Sequence, residues 1–340
     1  MKTMLPSGSD MDPKNLPLTT NPVELSEYTQ RVQWASKHRL GRISRALENT
    51  LDASDAIMIS TTGSDGRHEN KIFDSDASNT ELSILHRTGQ DLIQFWNQKE
   101  SQEDTVESVV KRIQETTSFI IAHVELKNIG KDAMALYNND PHLIFPTRVW
   151  DSYRLWGNQG MDSMIREIVS QEIINNPKMA SRFYDRLRQH VRVNKTGNYR
   201  IGWATNTQFN VESNEFYYDP KNHIEGVKMW PLRVIQYSLA LALMRKIRNL
   251  GKHPDFVNTL PGNIPDRLDF LLKNDLTAMS REQVEELQYI YRFFLKMYHQ
   301  MQYENFTAGT TVFSVDRDTL TDIKAMLSLL NDTFTDRLFK

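Results

Sequence analysis

The chain has 340 residues, 39% hydrophobic and 10% aromatic, with 41 Lys+Arg against 43 Asp+Glu and no cysteine. That is apolar enough for a packed core and long enough for more than one unit of ~100–200 residues. Without cysteine there is no disulfide framework, zinc ribbon, iron–sulfur cluster or thiol nucleophile, and a net charge of −2 gives no bulk attraction to nucleic acid or an anionic membrane, so any basic site is local.

Residues 1–22 carry Pro6, Pro13, Pro17 and Pro22 among small polar residues and read as a flexible N-terminal arm. From Val23 to about Asn49, Leu25, Tyr28, Val32, Ala35, Leu40 and Ile43 recur at mostly helical steps. The apolar run Ala56–Ser60 ends in the Gly-containing segment 61–66 and reads as a buried strand followed by a tight turn. Glu81–His86 and Ser118–Val124 are further strand candidates, with a helix expected over Glu103–Glu115. Strand, turn, strand, helix and strand make a small α/β or α+β unit, and residues 23–130 read as one domain with a leading helix. Residues 131–340 read as mainly helical, except for a polar, aromatic stretch over 194–221 that suits a hairpin or a long loop. Pro231 opens a helix through Leu250, and Ser280 with Gln283 makes a capping box ahead of a helix with Leu287, Ile290, Phe294 and Tyr298 on one face. A last helix carries Leu320, Ile323, Leu327 and Leu330. No stretch approaches the ~18 apolar residues of a membrane span. No secretory signal is legible, so the expectation is a soluble, cytoplasmic protein without a membrane partner; delivery into a host cell as a secreted effector stays open as an alternative.

The densest polar cluster runs from Gly63 to Asp76, directly after the first strand. Gly63 and Gly66 let the backbone approach a ligand, Ser64 adds a hydroxyl, and Arg67 a forked cation suited to phosphate. Asp74 and Asp76 follow in D-x-D spacing, which in a strand puts both carboxylates on one face. Two such carboxylates call for a counter-charge, and Mg²⁺ supplies it while also meeting substrate phosphates. A phosphate-cradling turn beside an aspartate pair points to nucleotidyl transfer from a nucleoside triphosphate. Each piece alone is an ordinary surface feature; their order and closeness carry the reading. No G-x-x-x-x-G-K-[ST] or G-x-G-x-x-G occurs.

The run from Gly63 to Asp76 resembles the signature G-[GS]-x-G-R-x-E followed by S-D-x-D. That signature marks the nucleotidyltransferase domain of the bacterial PII-protein uridylyltransferase and its signal-transduction nucleotidyltransferase relatives; Gly63, Ser64, Gly66, Arg67 and Glu69 match it. Thr147–Gly157 is similar to the family's "TSLLDARLLxG" helix. Arg192–Tyr199 and Gly226–Gln236 are similar to its "RHxKFGxTxY…KxGxGGLRDIQ" region, and the helix with Tyr291–Leu295, His299 and Gln300 to its "FLxxLRxxHQ" helix. The matches are collinear over about residues 50–335. The resemblance implies an α+β chain: a small polymerase-beta-like nucleotidyltransferase domain followed by a mainly helical domain that closes the cleft. It implies Mg²⁺ on Asp74 and Asp76, phosphates on Gly63, Ser64 and Arg67, a protein hydroxyl as acceptor, and UMP as the transferred group, with AMP an equal alternative.

There are departures. The first aspartate stands one residue nearer the turn than in the family, and aligning Ser75–Ser78 with S-D-x-D instead puts Ser78 where the second aspartate belongs. Val234 replaces the family's Asp, and no His here is followed by Asp, so the family's separate hydrolase domain has no counterpart. Glu125 is the candidate third metal carboxylate, against a plain solvated strand end. Glu69 is read as orienting Arg67 or the turn. Lys228 and Arg233 are candidates to reach the triphosphate, with salt-bridge roles as the alternative. The basic residues Arg186, Arg188, His190, Arg192, Lys195 and Arg200 fit a solvated face better than a binding surface. The competing functional reading is a catalytically inactive relative that binds a nucleotide or a protein; a third keeps the chemistry with a small-molecule or RNA acceptor, RNA being disfavoured by the net charge.

Overall fold

The computed structural model describes residues 18–51, 57–69, 80–86, 121–128, 145–176, 178–181, 191–193, 198–201 and 208–336. The helix expected over 103–115, most of the N-terminal arm, Asp74, Asp76 and Ser78 lie outside these residues, as do Arg186, Arg188, His190 and Lys195 of the basic stretch.

Helix α1 (Pro22–Thr50) starts where Asn21 caps it: the Asn21 Oδ1 accepts from the N–H of Val23 at 2.9 Å, and Pro22 takes a first-turn position, where its missing N–H is harmless. Leu25, Tyr28, Val32, Leu40, Ile43 and Leu47 are buried along one stripe, as the periodicity requires.

Strands β1 (Ile57–Thr61), β2 (Thr80–His86), β3 (Ile121–Asn128) and β4 (Tyr153–Gly157) form a sheet in the order β3-β2-β1-β4. β1 is antiparallel to β2 and to β4, whereas β2 and β3 are parallel, a pairing that demands a long crossover between them. Thr61, the last residue of β1, lies opposite Leu82 on one side and Tyr153 on the other, so the turn that follows leaves the sheet beside the start of β2. Met58, Ile59, Ser60 and Thr61 are all buried, the signature of a strand covered on both faces.

β4 departs from the expectation that 147–157 is helical. Helix α2 (Phe145–Trp150) ends at Asp151, and the chain then extends along β1. Extension buries Leu155 and Trp156 against the sheet, and the Ser44 hydroxyl of α1 donates to the Leu155 carbonyl at 2.5 Å. The first sheet therefore includes a strand from beyond residue 130.

The remainder is mainly helical. Helix α3 (Gln159–Asn175) is capped by Asn158, and helix α4 (Leu232–Leu250) stops at Gly251, whose φ of +64° suits glycine. Helix α5 (Ile264–Lys273) precedes α6 (Arg281–Ala308), which opens on the expected capping box with both halves formed. Helix α6 buries Leu287, Ile290, Phe294 and Tyr298 but also Tyr291, Phe293 and His299, so it is covered nearly all round. It packs against α1, α4 and α5. Helix α7 (Arg317–Asp336) buries Ile323, Leu327 and Leu330 and half-buries Leu320. The segment read as a hairpin or loop contributes to a second, antiparallel sheet of β5 (Val191–Val193), β6 (Asn198–Ile201), β7 (Phe209–Asn210), β8 (Glu215–Tyr217) and β9 (Val312–Phe313), joined in sequence order. The chain is α+β, and no helix among the described residues is long and apolar enough to cross a membrane.

Candidate functional site

The turn after β1 is a single helical turn, Gly63–Gly66. Its two glycines serve different ends. Gly63 has φ +65° and open space around a notional Cβ, the backbone state that favours glycine. Gly66 is packed instead: a Cβ there would stand 1.7 Å from the Asp151 carbonyl oxygen. The Gly66 carbonyl in turn sits where Gly262 also lacks a side chain, since a Cβ on Gly262 would meet it at 2.8 Å. Of the two, only Gly63 keeps space for a ligand; Gly66 brings three backbone segments together. Ser64 is half-buried, and Asp65 is buried in an ion pair with Arg39 of α1.

Arg67 and Glu69 point inward. Arg67, 8% exposed, donates from Nε to Glu69 Oε2 at 2.7 Å and from Nη1 to Asp151 Oδ2 at 2.7 Å. Arg267, 2% exposed, donates to the other Asp151 oxygen at 2.8 Å and to the carbonyls of Trp150, Pro261 and Gly262. Glu69 also accepts from the N–H of Ile264 at 3.1 Å and from the Tyr291 hydroxyl at 2.7 Å, while Gln236 donates to that hydroxyl at 2.9 Å. The Glu69 carbonyl can only accept, so Nε2 of His299 carries the proton of that 3.0 Å contact and Nδ1 accepts from the Tyr28 hydroxyl at 2.9 Å.

Burial alone would push the Arg67 guanidinium down, but Asp151 and Glu69 outweigh it and hold it well above its ordinary value. Burial, reinforced by Glu69, raises the Tyr291 hydroxyl, so it stays a protonated donor. Two guanidiniums face two carboxylates, each with further hydrogen bonds, which is the condition for tolerating buried charge. The expectation that Arg67 faces phosphate is therefore corrected: its charge is met inside the protein. Glu69 Oε2 is one of the two carboxylate partners of Arg67.

His68, between them, is 6% exposed at φ +57°, with its ring edge-on to Tyr153 at 4.6 Å. Its Nδ1 is buried without a partner, and burial followed by the charge of Lys37 lowers the imidazole to about 4. Thr61 Oγ1, at the other flank of the turn, is likewise a buried oxygen without a partner.

The remaining candidates fall in two places. Glu125 lies inside β3, not at a strand end, and its backbone pairs opposite Ser83 of β2. Among the described residues no group of three acidic or imidazole side chains is arranged so that it could hold a metal ion. Lys228 ends the short 3₁₀ turn Gly226–Lys228 and Arg233 sits in the first turn of α4; both pair with Glu225. Asp151, Arg267, Tyr291 and Gln236 joined the site without being singled out. Asp151, Gln236 and His299 fall within the stretches 147–157, 226–236 and 291–300, whose expected resemblance to the nucleotidyltransferase family is the one signal that could have found them. No family model and no curated protein matches the chain.

Proposed function

We propose that the chain is a Mg²⁺-dependent nucleotidyltransferase that moves UMP or AMP from a nucleoside triphosphate to a hydroxyl, on a protein acceptor. The observation that carries the reading is a convergence. Arg67 and Glu69, Asp151, Gln236 and His299 come from four separate segments similar to that family, and they meet in one buried hydrogen-bonded cluster. The cluster holds the Gly63–Ser64 turn at the C-terminal end of β1, an inner strand of a small mixed sheet, beside the start of β2. This supports a polymerase-beta-like arrangement in which Gly63 and Ser64 contact phosphate and the helices close over the turn.

Asp74 and Asp76 lie in the connection between this turn and β2, with Asp76 four residues before Thr80. All-oxygen donors suit a hard divalent cation, and buried Thr61 Oγ1 beside the turn is a further polar atom with no internal partner. When bound, Mg²⁺ would neutralise the phosphates and the departing pyrophosphate. The acceptor oxygen forms a bond to the α-phosphorus, the bond to the bridging oxygen breaks, pyrophosphate leaves, and the hydroxyl proton goes to solvent.

A second reading, a relative that binds nucleotide or protein without transfer, is favoured by the burial of Arg67, which removes a cation from the turn's outer face. Calorimetry of ATP and UTP with Mg²⁺, alongside a pyrophosphate-release assay, separates the two. Transfer predicts metal-dependent binding lost in Asp74→Asn/Asp76→Asn, together with pyrophosphate release. Binding that ignores both substitutions, without release, supports the binding module.

A further inference from the structure

Two clusters of cations lie close together and differ in kind. In the buried one, Arg67 and Arg267 face Glu69 and Asp151, so charge is balanced. In the other, Lys228 and Arg233 share a single carboxylate, Glu225, leaving a surplus positive charge. The second cluster is also open: Lys228, Arg233 and Glu225 side chains are 27%, 31% and 28% exposed. Lys228 contacts one Glu225 oxygen closely, whereas Arg233 reaches the other only at 3.6 Å. No other carboxylate pairs with either cation among the described residues.

The surroundings run against a purely stabilising role. Arg233 lies in the first turn of α4, the positive end of a 19-residue helix. That turn has no acidic residue, and Pro231 provides no side-chain cap. Local stability favours the opposite sign there, and a broken local rule is a mark of functional sites. The scaffold is rigid: a Cβ on Gly226 (φ +55°) would stand 2.6 Å from the Tyr217 carbonyl, and the Glu225 N–H donates to Gln208 at 3.1 Å. The Lys228 ammonium lies 5.7 Å from the Tyr298 ring centroid. Arg67 close by adds positive field; burial pushes the Glu225 carboxyl up, but Lys228 and Arg233 outweigh it and leave it below its ordinary range.

Resting on the nucleotidyltransferase reading for the ligand's identity, we infer that Lys228 and Arg233 form a phosphate subsite and that Glu225 is its resident counter-ion, displaced when a phosphate group of the nucleotide enters. The carboxylate keeps two like charges together in the free protein and competes with the ligand, so it sets how tightly polyphosphate binds.

The test is calorimetric titration of the full chain with sodium tripolyphosphate at low salt. Glu225→Gln tightens binding about tenfold, the effect of removing one charge-assisted competitor, and Lys228→Met/Arg233→Gln abolishes it in either background. Unchanged or weaker binding by Glu225→Gln, or full binding by the double variant, overturns the inference. If Glu225→Gln does not fold, Glu225→Asp keeps the charge but loosens the Lys228 contact; it tightens binding by a smaller factor, and no tightening overturns the inference. A merely structural salt bridge would lower thermal stability in these variants without a gain in affinity. Tripolyphosphate binding that follows this pattern without nucleotide transfer keeps the subsite and discards the transferase; transfer with affinity indifferent to Glu225 does the reverse.

Discussion

Asp151 accepts from both Arg67 and Arg267, so Asp151→Asn leaves Arg67 with Glu69 alone and the buried Arg267 guanidinium without its carboxylate. Removing one partner of a buried ion pair costs about 3–5 kcal/mol, to be read as loss of unfolding free energy in urea. The two turn glycines separate structure from ligand contact. Gly66→Ala forces a methyl into the Asp151 carbonyl and lowers stability strongly, whereas Gly63→Ala meets no atom and costs only about 1–2 kcal/mol for its positive φ. Nucleotide affinity that falls in Gly63→Ala while the melting temperature shifts little supports the turn as the contact surface. His68 carries a pH signature. Its folded value of about 4 lies below the ordinary 6.5, so between these the unfolded chain holds more protons and stability falls as pH drops. At pH 5 the loss reaches about 2 kcal/mol. His68→Gly, which also accepts the positive φ, flattens urea midpoints between pH 7 and pH 5; an unchanged slope assigns the loss elsewhere. Arg67 shows where residue-level reading stops: a cation in a Gly turn suits phosphate, and only the Asp151 and Glu69 carboxylates, brought in by the fold, redirect it.

At the scale of elements, those with local signals were legible. The helical steps of α1 from Val23 onward, the Ser280/Gln283 capping box of α6 and the apolar stripe of α7 all form as their residues dictate. Ser280→Ala removes one half of the capping box and lowers stability by about 1 kcal/mol; restoring Thr regains most of it in the same denaturation measurement. Elements held by distant partners were not legible. β4 has two exposed residues followed by two buried ones, with no alternation to betray a strand, and it extends because β1 offers an edge. β9 is two residues long and exists only because β8 lies beside it. β3 runs on to Asn128, past the apolar run that suggested it, through parallel pairing with β2.

Across the whole molecule, α1 ties the parts together. Arg39 holds the turn through Asp65, Ser44 holds β4, and Tyr28 reaches α6 through His299. The cluster it borders joins Glu69 to a histidine 230 residues away, a distance no periodicity reports. Composition set the outer bounds, through the missing cysteines and the charge of −2, and left the acceptor open. The most direct test of the account incubates the full chain with Mg²⁺, each α-³²P-labelled nucleoside triphosphate in turn and a lysate of the source cell. Acid-stable label on a protein, released pyrophosphate, and loss of both in a folded Asp74→Asn/Asp76→Asn variant are the predicted results. Label transfer that survives that variant, or no transfer from any nucleotide, contradicts the account.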